Sequence, residues 1–410
     1  MAGPPPARSG GEGVGRAGGR RRLSGRSATR SAPTAPRTAR LLRAACLPSE
    51  PRAPPRPHPC EGRRALAPPL HGPGRTGRRR AGRSGRVRPR RAGLCLPRPA
   101  RGGPLTTRLD RAAGAVLGSA VGDALGAPYE FGPAGELDAR GSEMRGGGGW
   151  DPGEATDDTQ MAVLVGESLL DHGGLELPDV FDRFRRWAAA GPKDIGLQTE
   201  QVLTGGDPWD LAAALHFQVN ARAAGNGSLM RASTSAVFFA AAGQEATMDA
   251  ARRLAALTHG DPAAWEGTAL LHELVRAALD GADPLERLPQ ALAAVAPEQR
   301  ERYARVLAPD WHPGLATEFN GAVWPCLGSA VWALRTTTGF AEAVRAAVNL
   351  GGDTDTVAAV TGTLAGARYG RAAIPPEWTT PLHVPLPGSG GRVLDARSLD
   401  DLAARLAGAA

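Results

Sequence analysis

Gly114, Gly118, Gly122 and Gly126 recur at every fourth position of a segment, Arg111 to Leu125, whose apolar residues follow a helical period. Four residues is close to one turn, so the glycines leave a bare stripe along one helix face. Each glycine costs roughly 1 kcal/mol of helix propensity relative to alanine. Such a face is kept where a second backbone packs closely enough to compensate. In a bilayer the same spacing marks a dimerising helix, but Asp123 and the short apolar length favour a tight helix pair in water. The chain is therefore expected to be organised around two helices in backbone contact.

Nearly every other apolar pattern after residue 105 is also helical. Helical patterns are read at 157–171, 179–190, 196–203, 209–215, 227–241, 247–257, 263–279, 285–294, 297–306, 318–336, 340–349, 355–369 and 397–407, most of them separated by Gly or Pro. A short alternation at Leu382 to Leu386 is the one strand-like piece. Gly141 to Glu154 reads as a loop, with four consecutive glycines at Gly146 to Gly149. The class is all-α, a compact multi-helix domain with functional loops at one end.

Charge divides the chain at about residue 104. Residues 1–104 hold 25 Arg, no Lys, no Asp and 3 Glu, a net of +22, whereas the remainder carries 24 Lys+Arg against 38 Asp+Glu, a net of −14. The whole-chain balance of +8 describes neither part and is not a nucleic-acid signature. Rich in Gly, Pro, Arg and Ser and without aromatics, 1–104 is expected to be a disordered basic arm preceding a 105–410 domain. A nucleic-acid or membrane-surface arm and a transit peptide are alternatives. The favoured expectation is a start assigned too far upstream; no Met lies between Met1 and Met144, and Val87 is one candidate true start. Cys46, Cys60 and Cys95 fall in the arm without zinc spacing, and Cys326 reads as a core thiol. No apolar run of about 18 residues exists, so no membrane span is expected and the folded part reads as cytoplasmic.

Two oxygen-rich clusters carry the chemistry. Gly351-Gly352-Asp353-Thr354-Asp355-Thr356 sets two carboxylates two residues apart, with a hydroxyl where an Ala- and Gly-rich helix begins. Thr156-Asp157-Asp158-Thr159 opens another helix about 195 residues upstream. Thr and Asp are also the usual helix caps, and acids favour a first turn, so for either cluster alone capping is the better reading. Together they offer six side-chain oxygens, more than two caps need, and hard oxygen ligands suit a shared divalent-cation site. Other candidates are weaker singly. Glu130 is a lone acid near the glycine loop. Gly225-Asn226-Gly227-Ser228 is a turn whose amides could hold phosphate. His259 could bond a ligand or simply stabilise a helix C-terminus.

In this order the segments GSAVGDALGAPYE (118–130), ATDDTQM (155–161), DIG (194–196), GNGSLMR (225–231), THGDP (258–262), NLGGDTDTVAAVTGTLAGARYG (349–370) and IPPEW (374–378) resemble the ADP-ribosylglycohydrolase family, of the dinitrogenase-reductase-activating type. The likeness spans about 115–378. It implies an all-α orthogonal bundle and two divalent cations, Mg²⁺ or Mn²⁺, held by Thr156, Asp157, Asp158, Asp353, Asp355 and Thr356. It implies catalytic roles among Asp157, Asp158 and Glu130, and substrate contacts from Gly225, Asn226, Gly227, Ser228, His259 and Gly352. The activity implied is hydrolysis of an ADP-ribosyl glycosidic bond through an oxocarbenium-like state, on an ADP-ribosylated protein, nucleic acid or small molecule. Ala155, where the family often has an aromatic, and Ser233-Thr234, where proline is common, depart from the pattern and bear on substrate shape.

Three other functions are weighed. A non-catalytic ADP-ribose-binding or crystallin-like relative should lose ligands, and all six remain. Another metal-dependent nucleotide hydrolase should carry extra cations near the acids, yet Lys193 is the only lysine. Nucleic-acid binding would rest on the arm alone. The acceptor (arginine, serine, a guanidine-type small molecule, a DNA base or poly-ADP-ribose), the choice of Mg or Mn, the identity of the general base and the oligomeric state are not legible in the sequence.

Overall fold

The computed structural model describes residues 107–409 apart from Ser142, Ala221 and Arg222. The 1–104 arm, with Val87, Cys46, Cys60 and Cys95, lies outside the described residues. In chain order the helices are α1 (Arg108–Gly126), α2 (Glu136–Arg140), α3 (Asp157–His172), α4 (Leu177–Ala189), α5 (Leu197–Thr204), α6 (Ala212–Val219), α7 (Gly227–Met230), α8 (Ser233–Phe239) and α9 (Gln244–Ala255). They continue as α10 (Pro262–Leu279), α11 (Pro284–Ala293), α12 (Pro297–Val306), α13 (Val323–Thr336), α14 (Phe340–Val348), α15 (Thr354–Tyr369), α16 (Pro376–Thr379) and α17 (Ala396–Ala409). One antiparallel pair, β1 (His383–Pro385) with β2 (Val393–Asp395), is the only sheet among the described residues, in register His383 to Asp395. None of the described helices is long and apolar enough to cross a membrane.

The glycine stripe of α1 finds its partner in α15. A Cβ at Gly114 would collide with the Gly366 carbonyl, one at Gly118 with Gly362, one at Gly122 with Ala358 and one at Gly126 with Thr354. The partner residues run in the opposite sense at the same four-residue spacing, so the helices lie antiparallel. The obstacle is backbone each time, which cannot rotate away as a side chain would. Both helices are buried along almost their full length, inside one continuous apolar core that includes Trp187, Tyr303, Phe181 and Phe340. This seam sets the site, because Asp355 in the first turn of α15 rests on Gly126 at the end of α1, and Thr354 Oγ1 donates to the Gly126 carbonyl at 2.9 Å.

Three departures from the sequence pattern have local causes. The helix expected at 318–336 begins only at Val323, because Asn320 turns aside to bond the Gly351 carbonyl and the Asp353 amide at 2.9 and 3.0 Å. The helix expected at 227–241 breaks into α7 and α8. Between them Arg231 is buried, and it reaches the carbonyls of Gly227 and Leu254 and the Thr258 hydroxyl. The helix expected at 209–215 starts at Ala212, after a turn led by Pro208 whose carbonyl accepts from Leu211 and Ala212. The strand-like piece at Leu382 to Leu386 forms β1, and its partner β2 carries no comparable alternation. β1 also steadies the site: Ala155 N–H donates to the His383 carbonyl and His383 N–H to the Gly153 carbonyl, each at 2.9 Å.

Candidate functional site

The two oxygen-rich clusters meet. Asp157 and Asp158 open α3, Asp355 and Thr356 open α15, and Thr356 Oγ1 lies 3.4 Å from Asp158 Oδ1. Carboxylate oxygens of Glu130, Asp353 and Asp355 lie within 4.8 Å of one another. Asp157 is raised well above the usual carboxylate range by burial first, and Asp194 and then Asp123 are the strongest charges acting on it.

Capping accounts for little of this. Thr156 does cap α3, accepting from Asp158 N at 3.3 Å. Asp353, at the cap position of α15, makes no side-chain cap bond. Its carboxylate instead receives Asn226 Nδ2 on Oδ2 at 3.0 Å. Asp353 Oδ1 and Asp158 Oδ2 are buried without a hydrogen-bond partner among the described residues. A buried carboxylate oxygen without a donor is costly.

Electrostatics point the same way. Burial first, then neighbouring acids, push Asp158 and Asp355 well above the usual carboxylate range, and Asp353 is raised mainly by burial. Glu130, only partly buried, is pushed up to about 10 by desolvation and by Asp194, Asp353, Asp157 and Asp123. The chain offers a contrast in a second cluster. Asp151, Glu154 and His383 are as closely grouped, but Lys193 Nζ sits 2.6 Å from Glu154 Oε2 and supplies the positive charge. At the first cluster the largest charge effects all come from other acids. Buried oxygens of one sign, some of them orphaned, fit a set of hard-cation ligands.

Local structure holds each group. Asp123, one turn from the end of α1, accepts from Thr156 N (3.1 Å), Thr159 N (3.1 Å) and Thr159 Oγ1 (2.5 Å), which fixes the start of α3. Glu130 follows a 3-10 turn, Ala127–Tyr129, and the next residue, Phe131, holds φ 59°, the one positive φ at a non-glycine among the described residues. Its N–H reaches the Gly352 carbonyl at 2.6 Å, and Gly352 N–H returns to Gly132 O at 3.2 Å. Gly351 at φ 70° presses on Gly132 and Ala134, leaving no space for a Cβ. The Glu130 loop is thus tied directly to the Asp353 loop.

The remaining sequence candidates divide. Asn226 is in the site, bridging Asp353 and the Asn320 carbonyl. His259 is buried with its ring against Gly225 and Gly227, 2.8 Å from Thr258 Oγ1 through Nδ1. Burial and then Arg231 hold it well below the ordinary histidine range, so it is neutral and offers no charge to a helix terminus. The Ser228 hydroxyl points inward, between Thr268 Oγ1 and the Ala264 carbonyl. Asp123, Asp194 and Asn320 were not among the candidates. Asp194 had a signal, since its Asp-Ile-Gly segment was noted, and Asp123 lay inside the glycine stripe. Asn320 had none, because it sits in a segment that reads as helix.

A family model described as ADP-ribosylglycohydrolase matches residues 104–410. An ADP-ribosylarginine hydrolase of Pseudomonas putida is 33% identical over 283 residues, covering 66% of this chain and 73% of that protein. An ADP-ribosyl-[dinitrogen reductase] glycohydrolase of Rhodospirillum rubrum is 30% identical over 296 residues, covering 70% and 95%. A solved structure described as an ADP-ribosylglycohydrolase-related protein complex superposes with a TM-score of 0.60 at 37% identity, covering 73% of this chain and 98% of that one.

Proposed function

The chain belongs to the ADP-ribosylglycohydrolase family, and on that premise we propose that it is a divalent-cation-dependent hydrolase removing ADP-ribose from a protein side chain, with arginine the first acceptor to test. The enzyme class, acting on a glycosidic bond, follows from the family. The finer reading is carried by one observation: acids from the starts of α3 and α15 come together with buried oxygens that no protein donor satisfies. Thr156, Asp157, Asp158, Asp353, Asp355 and Thr356 would hold two cations, Mg²⁺ or Mn²⁺. Bound there, the cations would supply Lewis-acid polarisation and neutralise the acids.

The rest falls to the chain's own groups. The bond between the anomeric carbon and the acceptor heteroatom breaks through an oxocarbenium-like state, and water adds to the carbon. Glu130 is the acid suited to proton transfer. It is more exposed than Asp157, Asp158 and Asp355, and in the cation-free protein desolvation first, then the acids around it, hold its proton into the neutral range. Asn226 holds Asp353 in place, while the Gly225–Ser228 backbone and the neutral His259 would meet the nucleotide end. Residues 105–410 would suffice for activity, and we read the site as working in the cytoplasm without a membrane or nucleic-acid partner. The test is a panel of ADP-ribosylated arginine, serine, guanidine, DNA and poly-ADP-ribose substrates, assayed with Mg²⁺ and with chelator. Release of ADP-ribose that survives chelation would refute the cation reading; no release from any substrate would refute the hydrolase.

A further inference from the structure

Arg231 is a buried cation whose hydrogen bonds all run to neutral oxygens. Its guanidinium donates to the carbonyls of Gly227 and Leu254 at 3.1 and 3.3 Å and to the Thr258 hydroxyl at 2.7 Å. Its flat face lies over Phe184, 5.0 Å from the ring centre. Thr258 and His259 are buried beside it, with Thr258 Oγ1 2.8 Å from His259 Nδ1.

The hydrogens in this row can be counted. A guanidinium has no acceptor atom, so the Arg231 bond takes a lone pair of Thr258 Oγ1 and the relay runs one way only. The hydroxyl keeps one hydrogen, and the contact left to it among the described residues is His259 Nδ1. Nδ1 therefore accepts, and the neutral ring carries its proton on Nε2. The opposite tautomer would leave a buried hydroxyl hydrogen without an acceptor, which is costly.

The ring is also held from both sides. The His259 carbonyl accepts from Trp265 Nε1 at 2.5 Å, and the Thr258 carbonyl accepts from Gln198 Nε2 at 3.1 Å. Nε2 faces the glycine turn, 3.5 Å from where a Cβ of Gly225 would stand and 3.2 Å from that of Gly227. The Thr258 contact is the only hydrogen bond of the ring among the described residues. We propose that Arg231 and Thr258 are positioning residues that act in series to fix His259 as a donor over this turn, so that the site takes an acceptor atom of the nucleotide there and refuses a donor. This rests on the reading above that the turn and His259 meet the nucleotide end. Arg231 serves the turn twice, because its second nitrogen holds the Gly227 carbonyl.

The experiment uses the full chain labelled with nitrogen-15 histidine. Of its eight histidines, His259 is identified by the signals lost in His259→Asn. Nitrogen chemical shifts separate a protonated ring nitrogen from a bare one, so the tautomer is read without turnover. Wild type should show Nδ1 bare and Nε2 protonated. Thr258→Val removes the hydroxyl at nearly constant volume. Its affinity for ADP-ribose, measured by calorimetry in saturating Mg²⁺, should fall about 2- to 12-fold, the worth of one hydrogen bond. Its kcat at saturating substrate should change less than about twofold, because the lost bond lies away from the reacting carbon. Thr258→Ser restores the hydroxyl and should bring affinity to within about twofold of wild type. A wild-type ring protonated on Nδ1 or on both nitrogens overturns the assignment. So does undiminished affinity in Thr258→Val, or a Thr258→Ser as weak as Thr258→Val, and each of these leaves the hydrolase standing. Wild type that neither binds ADP-ribose nor releases it from any substrate removes the hydrolase reading and the role of the relay with it.

Discussion

Replacing Glu130 by glutamine should make the cation-free protein more stable while disabling it. Folding lifts this carboxyl from 4.5 to about 10, so the folded state takes up a proton that the unfolded chain releases. The stability tied to its neutral form is complete below pH 4.5 and is lost as pH rises toward 10. Each pH unit is worth about 1.4 kcal/mol. The 3.5 units between 4.5 and pH 8 therefore set an upper limit of about 5 kcal/mol. Partial exposure and repulsion shared with Asp194 and Asp353 bring the expected value to about 1–3 kcal/mol. At about 2 °C per kcal/mol for a domain of this size, Glu130→Gln should melt roughly 2–6 °C higher than wild type at pH 8 in chelator. The gap should close by pH 5. Contributions from groups that do not act on Glu130 are common to both proteins and cancel; Asp123, pushed by burial to about 6, does act on it and adds to the repulsion already discounted. Turnover should fall at least about 100-fold, as for loss of a general acid or base. Thermal melts of both proteins at pH 5 to 8.5, with EDTA and with Mg²⁺, decide the matter. A variant that melts below wild type at pH 8 in chelator, or a gap independent of pH, refutes the reasoning.

Asp353→Ala and Asp157→Ala should each abolish ADP-ribose release at limiting Mg²⁺ with an unchanged circular dichroism spectrum; near-normal rates in either would count against the ligand set. Gly118→Ala gains about 1 kcal/mol of helix propensity, but its methyl meets the Gly362 backbone and should cost about 2–3 kcal/mol net, read as a lower Tm. Deleting residues 1–104 should leave kcat/KM on the best substrate within about twofold, as expected if all binding energy resides in 105–410; a larger loss would give the arm a working role.

Residues that do one local job were legible in the sequence. A period of four in Gly114 to Gly126 announced a backbone contact, although not that α15 would answer it, because a partner at long range leaves no mark in the first segment. The Asp-rich starts of α3 and α15 were visible since helix N-termini have a compositional grammar, and their excess of oxygen set them apart from ordinary caps. Asn320 was hidden because its segment scans as helix. What unwinds it is the tertiary demand of the Gly351–Asp353 loop for a donor and an acceptor at one point. The Ser228 hydroxyl lies beside Thr268, an orientation that chain position alone does not specify, and the expectation placed on its turn concerned the backbone amides. Glu130 was visible as an acid, but its closeness to Asp353 and Asp355 depends on the strained turn at Phe131, where sequence gives no warning.

Because the glycine seam between α1 and α15 sets backbone against backbone, neither can slip past the other by a fraction of a turn. One residue of offset would advance Asp355 about 1.5 Å along the axis and swing it about 100° around it, away from Glu130 and Asp158. Insertions or deletions between 114 and 126, or between 354 and 366, should therefore be far less tolerated than changes in the loops at the rim. New acceptors can be reached by reshaping those loops, with the spacing of the acids left as inherited.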